Sequence, residues 1–318
     1  MNLQKCAVIG TGFVGATVAY TLATSGLFSE LVLLDANRAK AEAEARDISH
    51  GVSFAQPCAV YAGDYEHVGD CGLIIIAAGA NQKPGETRID LLHRNEVILQ
   101  SILGAVLAVN SDCILLLVSN PVDILTYMAQ KISGLPANRV IGSGTVLDTA
   151  RLKYLLGQHL DVDSRNVHAF IIGEHGDSEL AVWSSANISG VDLTDYCRVT
   201  GKETSPAVLD DIYHNVRDAA YSIIEGKGAT YYGIGMAVLR IARAIVRDER
   251  SVLPVSSIVT GHYGVSEVAL GLPSVLGKDG VEAVLDIPLS YEEKKQLQSS
   301  AAKLRGLLDE MGIDEKSK

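Results

Sequence analysis

Six residues constrain this chain more than any others. Gly10-Thr11-Gly12-Phe13-Val14-Gly15 follows the apolar run Lys5–Ile9 directly and opens the helical segment Phe13–Ser25. A strand that turns on glycine straight into a helix begins a βαβ unit. Its three glycines answer to a tight turn, close backbone approach to a pyrophosphate and tight helix–strand packing. The helix start adds free N–H groups and the positive end of a dipole, which suit phosphate. Alone, such a glycine pattern is weak, because glycine-rich turns are common. Here Asp35 ends the next apolar run, Leu31–Leu34, 20 residues after Gly15. A carboxylate there accepts hydrogen bonds from ribose hydroxyls and repels a 2′-phosphate, so NAD is expected over NADP. No G-x-x-x-x-G-K-[ST] occurs, which removes the P-loop alternative.

The rest of the first half repeats that unit. Further strand candidates are Ala59–Ala62, Leu73–Ala77, Ile114–Val118 and Val140–Ile141, with helices at Ala39–Ser49, Arg88–Asn110 and Ile124–Ser133. Apolar runs without alternation indicate strands covered on both faces, as parallel sheets are. The fold class expected is α/β: a Rossmann-type parallel sheet with helices on both faces, followed by a C-terminal α+β substrate domain. The boundary falls near 143–146, giving a cofactor domain over 1–145 and a substrate domain over 146–318.

In the second half, helix Val146–Leu160 leads to strand Val167–Ile172 and a glycine-flanked loop. One helical stretch, Ala207–Glu225, stops at Gly226 and Gly228, and Tyr232–Val246 follows as a second helix. Strand-like segments come next, at Val252–Thr260, Val268–Leu270, Ser274–Leu276 and Val281–Leu285. The last helix opens on a capping-box pattern, Ser290 with Glu293, and aligns Leu297, Leu304, Leu308 and Met311 on one stripe. This half reads as a separate layer.

Composition narrows the function classes. A net charge of -11 opposes non-specific nucleic-acid binding and requires local cations for any anionic substrate. The longest apolar runs, Leu73–Ala78 and Cys113–Val118, are far short of the ~20 residues that span a bilayer. Met1–Lys5 carries no signal-peptide pattern, and five cysteines without a CxxC pair suit reduced thiols, so a cytoplasmic location is expected.

Three stretches carry candidate chemistry. Gly79–Arg88 follows a parallel strand at the edge where α/β sheets bind ligands; it is either a lid whose Arg88 closes over an anion or an ordinary surface loop. Asp148 and Arg151 share one helical face, either as a surface ion pair or as a histidine partner beside a bidentate grip on a substrate carboxylate. His175 lies between two glycines just past an apolar strand, with no metal-ligand spacing around it. A histidine has the right pKa to move a proton near neutrality, a carboxylate fixes its tautomer, and arginines polarise a carbonyl or hold a carboxylate. That inventory suits a 2-hydroxy acid dehydrogenase.

Taken together, GTGFVG (10–15), AGANQKPGETR (78–88), VSNPVD (118–123), GTVLDTARL (144–152), IIGEHGDSE (171–179) and GATYYGIG (228–235) resemble the bacterial-type L-lactate dehydrogenases of the lactate/malate dehydrogenase family. The resemblance runs from Lys5 to about Leu308. It implies reversible reduction of pyruvate to L-lactate by NADH, with His175 as acid/base, Asp148 its partner, Arg151 the carboxylate anchor and Arg88 the lid arginine. Asn120, Thr230 and Ile234 become substrate contacts. Gly10, Gly12, Phe13, Val14, Gly15, Asp35, Gly79, Ala80 and Asn120 line the cofactor. The resemblance also implies a homotetramer and raises fructose 1,6-bisphosphate as an activator, held by His168 and by Lys153 where the family has an arginine. Malate enzymes resemble this pattern with an arginine in place of Gln82, which would pair with a second carboxylate. Neutral Gln82 would leave that carboxylate buried and unpaired, so pyruvate and lactate are favoured over oxaloacetate and malate. A malate dehydrogenase, or another 2-hydroxy acid dehydrogenase of the family, is the alternative. A related NAD-dependent glycosidase would need cysteine and histidine metal ligands that no motif here supplies. An inert NAD sensor would keep the glycines and lose the chemistry.

Overall fold

The computed structural model describes residues 1–80, 85, 87 and 89–313, and Arg88 by its backbone alone. The first half runs β1 (Asn2–Ile9), α1 (Phe13–Ser25), β2 (Glu30–Leu34), α2 (Arg38–Val52), β3 (Ala59–Ala62), β4 (Cys71–Ile76), α3 (Arg88–Leu107), β5 (Ile114–Leu117), α4 (Val122–Ser133) and β6 (Val140–Gly142). Its six strands are parallel, in spatial order β6-β5-β4-β1-β2-β3, so the chain reverses direction across the sheet at β1 and β4. Side-chain alternation gives the inner strands two buried faces, whereas the edge strand β3 has no buried residue. Ile74 and Ile76 of β4 join a core with α3 and α4, while Leu73 and Ile75 join the opposite core with α1.

The second half continues through α5 (Val146–Leu160), β7 (Val167–Ile172), β8 (Leu180–Ile188), β9 (Val191–Asp192), α6 (Leu193–Thr200), α7 (Pro206–Arg217), α8 (Ala219–Lys227) and α9 (Tyr232–Val246). It closes with β10 (Ser251–Leu253), β11 (Ser256–His262), β12 (Val265–Gly271), β13 (Ser274–Gly277), β14 (Gly280–Val284) and α10 (Tyr291–Glu310). Strands β7-β8-β9 and β10-β13-β14 form two small antiparallel sheets.

Three sequence expectations need correction. The second half is not a separate layer: the β11–β12 hairpin extends the main sheet antiparallel to β6, making it eight-stranded. Helix α9 likewise packs on α1, so closely that a Cβ on Gly235 would stand 2.9 Å from the Thr17 methyl. The expected helix Ala207–Glu225 is two helices broken at Asp218, which ends α7 and starts α8. Aspartate competes poorly as a helix-interior residue. Burial ends at the same point: α7 buries Ile212 and Val216, and α8 buries nothing. The expected strand Val252–Thr260 is two strands, β10 and β11, that belong to different sheets, whereas Leu180–Ile188, unassigned from sequence, is the central strand of its sheet.

Candidate active site

The glycine turn sits where sequence spacing puts it. Gly10 has φ +96° and donates to the Leu34 carbonyl at 2.7 Å; a Cβ there would lie 2.5 Å from the Ala78 nitrogen. A Cβ on Gly15 would overlap the Gly10 carbonyl, whereas one on Gly12 would meet open space. Gly12 starts α1 and caps none of the first N–H groups of the helix with a side chain. Asp35 is braced to the same turn: Oδ2 accepts from the Thr11 amide at 2.7 Å and from its hydroxyl at 3.0 Å, and Oδ1 accepts from the Asn37 amide at 2.9 Å. Burial alone would raise the Asp35 carboxyl, but these donors lower it, so it stays an anion. An open, donor-rich turn with a fixed carboxylate beside it fits the pyrophosphate and ribose of NAD. The exposed Phe13 ring stacks on Tyr231 with centroids 5.5 Å apart, while Val14 packs inward.

The exits of β4 and β5 are cross-braced. Asn95 of α3 accepts from the Ala80 amide at 2.8 Å and donates to the Asn120 carbonyl at 3.3 Å, and Ser119 donates to the Ala78 carbonyl at 2.6 Å. Gly79 leaves room for Ser119, whose Cβ would stand 3.3 Å from an added methyl. Gln82 lies outside the described residues, as does the Arg88 side chain, so neither reading of the 79–88 loop is placed.

Two threonines lace α5 to β7. Thr145 donates to the Ile171 carbonyl at 2.6 Å, and Thr149 accepts from the Ile171 amide at 2.9 Å. Beyond β7, Gly173 and Gly271 exchange both backbone hydrogen bonds, tying the loop to the end of β12. These ties bring together residues 27 apart in sequence. His175 Nδ1 stands 2.6 Å from Asp148 Oδ2, and Arg151 reaches Asp148 Oδ1 at 2.7 Å. Asp148 is buried, whereas the His175 side chain keeps 25% exposure. The Asp148–Arg151 ion pair thus lies inside the protein rather than on its surface, and Asp148 is the histidine's partner. Burial by itself lowers the His175 pKa, but Asp148, with Asp123 and Glu179, more than reverses it and raises it to about 9. The Asp148 carboxyl is raised by burial yet lowered overall by His175 and Arg151.

Sequence reasoning left two acids of this site unassigned. Asp123, at the end of VSNPVD, accepts from the His175 amide at 2.7 Å and from the Ser256 hydroxyl at 2.6 Å; burial raises its carboxyl to about 6. Glu179 ends IIGEHGDSE and presents its carboxyl to Asp148 and His175. Both sat inside quoted motifs, but nothing in their spacing separates a buried acid from a solvated one. The remaining expected residues are less buried than Asp148. Thr230 and Ile234 are half-buried, and Asn120 is exposed. Lys153 on α5 is half-buried, its ammonium weakened by burial and by Arg240, and His168 is exposed on β7.

Comparison with known proteins agrees with this geometry. Residues 4–142 match the lactate/malate dehydrogenase NAD binding domain, and residues 145–312 match the alpha/beta C-terminal domain of the same family. An L-lactate dehydrogenase from Thermoanaerobacter sp. (strain X514) is 54% identical over 98% of this chain and 100% of its own. One from Acetivibrio thermocellus is 50% identical over 98% of both chains. Among solved structures, a lactate dehydrogenase from a Medee basin deep-sea metagenome library superposes with a TM-score of 0.96 at 49% identity, covering 98% of this chain and 100% of that one. The minor L-lactate dehydrogenase of Enterococcus mundtii, in a ligands-bound form, gives 0.94 at 43% identity, covering 96% and 98%. The chain belongs to the lactate/malate dehydrogenase family and is an NAD-dependent oxidoreductase of that family.

Proposed function

We propose that this protein is an L-lactate dehydrogenase that interconverts pyruvate and L-lactate, with His175 exchanging the proton. The observation that carries the reading is Asp148, one oxygen on His175 Nδ1 and the other on Arg151. An ionised carboxylate only accepts, so Nδ1 carries its hydrogen and Nε2 is left to serve the substrate. Bound NAD supplies the hydride chemistry, held by the Gly10–Gly15 turn, Asp35 and the Gly79, Ala80 and Asn120 edge. With a pKa near 9, His175 is an imidazolium at neutral pH, poised to give a proton to a ketone oxygen. Reduction therefore holds its rate below about pH 9 and falls above it, while lactate oxidation, which needs the neutral ring, rises through the same range. Arg151 spends one η nitrogen on Asp148 and keeps further N–H donors for a substrate carboxylate, the two-pronged grip that lysine lacks.

The remaining expectations belong to the same reading. Residues 1–145 hold the cofactor and 146–318 the substrate groups, with Arg88 closing the site and Asn120, Thr230 and Ile234 lining it. Neutral Gln82 selects a substrate with one carboxylate. Lys153 and His168 offer a phosphate site for fructose 1,6-bisphosphate in a cytoplasmic, fermentative homotetramer. No described helix is long and apolar enough to cross a membrane. Sedimentation with and without fructose 1,6-bisphosphate tests the assembly and the activator; a monomer whose rate ignores the bisphosphate sinks both. For the main proposal the test is NADH oxidation at neutral pH with pyruvate and with oxaloacetate. A higher kcat/KM for pyruvate is expected, and preference for oxaloacetate would overturn the assignment.

A further inference from the structure

Glu179 carries a buried carboxyl for which the reaction above has no use. It is 5% exposed, and its Oε1 has no hydrogen-bond partner among the described residues. Its carboxyl, the Asp148 carboxylate and the His175 ring offer atoms that all lie within 4.8 Å of one another. The charged and titratable groups around it are Asp148 and Arg151 from α5, His175 from the loop after β7, and Tyr213 and Arg217 from α7. The Tyr213 hydroxyl donates to the backbone carbonyl of Glu179, not to its carboxyl. A cavity of about 600 Å³ between β8, α7 and α10 reaches the same residue; its ionisable walls include Asp210, Glu292 and Glu293 with one lysine, Lys303.

Two neighbouring carboxyls in a water-poor site do not both ionise readily. Asp148 has His175 and Arg151 at hydrogen-bond distance, and Glu179 has neither. The negative charge therefore belongs on Asp148 and the proton on Glu179. We propose that Glu179 stands as a neutral carboxylic acid in the working enzyme and is a positioning residue that ties the proton affinity of His175 to a second buried proton. Burial first, then Asp148, pushes the Glu179 carboxyl up to about 9, the range to which His175 is also raised. Sites that interact by more than about one pK unit release their protons as a pair. While Glu179 is neutral, Asp148 holds the imidazolium with Asp123 behind it. When Glu179 gives up its proton to solvent, its new charge tightens the hold of His175 on its own. The acid form of the catalytic ring is thus defended on the alkaline side.

This inference rests on His175 as the acid–base group, so two readouts are needed. The first is independent of the reaction: the infrared difference between wild type and Glu179→Gln at pH 7. A carbonyl stretch of a protonated carboxylic acid is expected in the wild type alone, and its absence would overturn the proposal. The second is the pH profile of kcat/KM for pyruvate. Glu179→Gln should move the alkaline limb down by about half a unit or more, and Glu179→Asp, which keeps an ionisable acid, should restore it. An unshifted limb with a uniform loss of rate would mean a merely structural residue. Should the glutamine variant fail to fold, the protonated-carboxyl signal of glutamate-labelled wild type must titrate near pH 9; no such titration contradicts the proposal. Full activity in His175→Asn would sink the acid–base reading and leave the infrared result standing.

Discussion

Two clusters of charge, each around a buried side chain, lie at opposite edges of the main sheet, and they are built to opposite ends. At the edge where the parallel strands begin, Lys5 meets Glu30 at 3.0 Å and Asp70 at 2.8 Å, and Tyr61 also donates to Glu30. Burial lowers the Lys5 pKa, but the two carboxylates more than reverse this, so the charge is locked far from neutrality. Where the strands end, Asp148 is shared between His175 and Arg151, while Glu179 Oε1 has no hydrogen-bond partner among the described residues. There His175 and Glu179 are raised to about 9 and Asp123 to about 6, all within reach of working pH. Complete pairing makes a charge inert; incomplete pairing leaves a group that changes charge, as a proton-transfer site requires.

That contrast can be broken by substitution, beginning with the largest effect. His175→Asn should lower kcat for pyruvate reduction by about 10³-fold, within the range for loss of a general acid, with NADH affinity retained. Stopped-flow and binding measurements check both, and a loss under tenfold would return His175 to the inert class. Gln82→Arg should shift the oxaloacetate-to-pyruvate ratio of kcat/KM by about 10²-fold, because pairing relieves a buried charge worth several kcal/mol. An unchanged ratio would remove residues 79–88 from the site. Asp123→Ala strands the His175 amide and the Ser256 hydroxyl, at about 1–3 kcal/mol for each donor left unpaired. It should therefore lower both Tm and kcat. Lys5→Met should cost about 1.5 kcal/mol by chemical denaturation, because the freed carboxylates are partly solvated, and leave kcat of the folded enzyme alone. A kcat loss there would show that the two edges are coupled.

How much of this was legible in the sequence follows the same physics. The inner strands of the first half are readable because they are apolar runs buried on both faces; Leu73–Ala77 is observed as Cys71–Ile76, within two residues at either end. The expected strand Val252–Thr260 is divided between β10 and β11 of two sheets, because the place of β11 depends on pairing with β6, which no local pattern encodes. Leu180–Ile188 escapes because Ser184, Ser185 and Asn187 interrupt its apolar run. At the site, Asp148 and His175 were proposed as partners from chemistry, whereas what joins them is Thr145 and Thr149 of α5 on β7, a tertiary fact. Asp123 and Glu179 were hidden because a buried acid and a solvated acid look alike in sequence. Burial alone sets them apart, and burial is a tertiary property.

The central claim is that Asp148 sets the proton affinity of His175. The most direct test is the pH dependence of kcat/KM for pyruvate reduction in wild type and Asp148→Asn. The wild-type limb should fall near pH 9. Without the carboxylate, burial acts unopposed, and the limb should drop by more than about one unit, toward or below the ordinary histidine value. A limb that stays near 9 in Asp148→Asn would contradict the account.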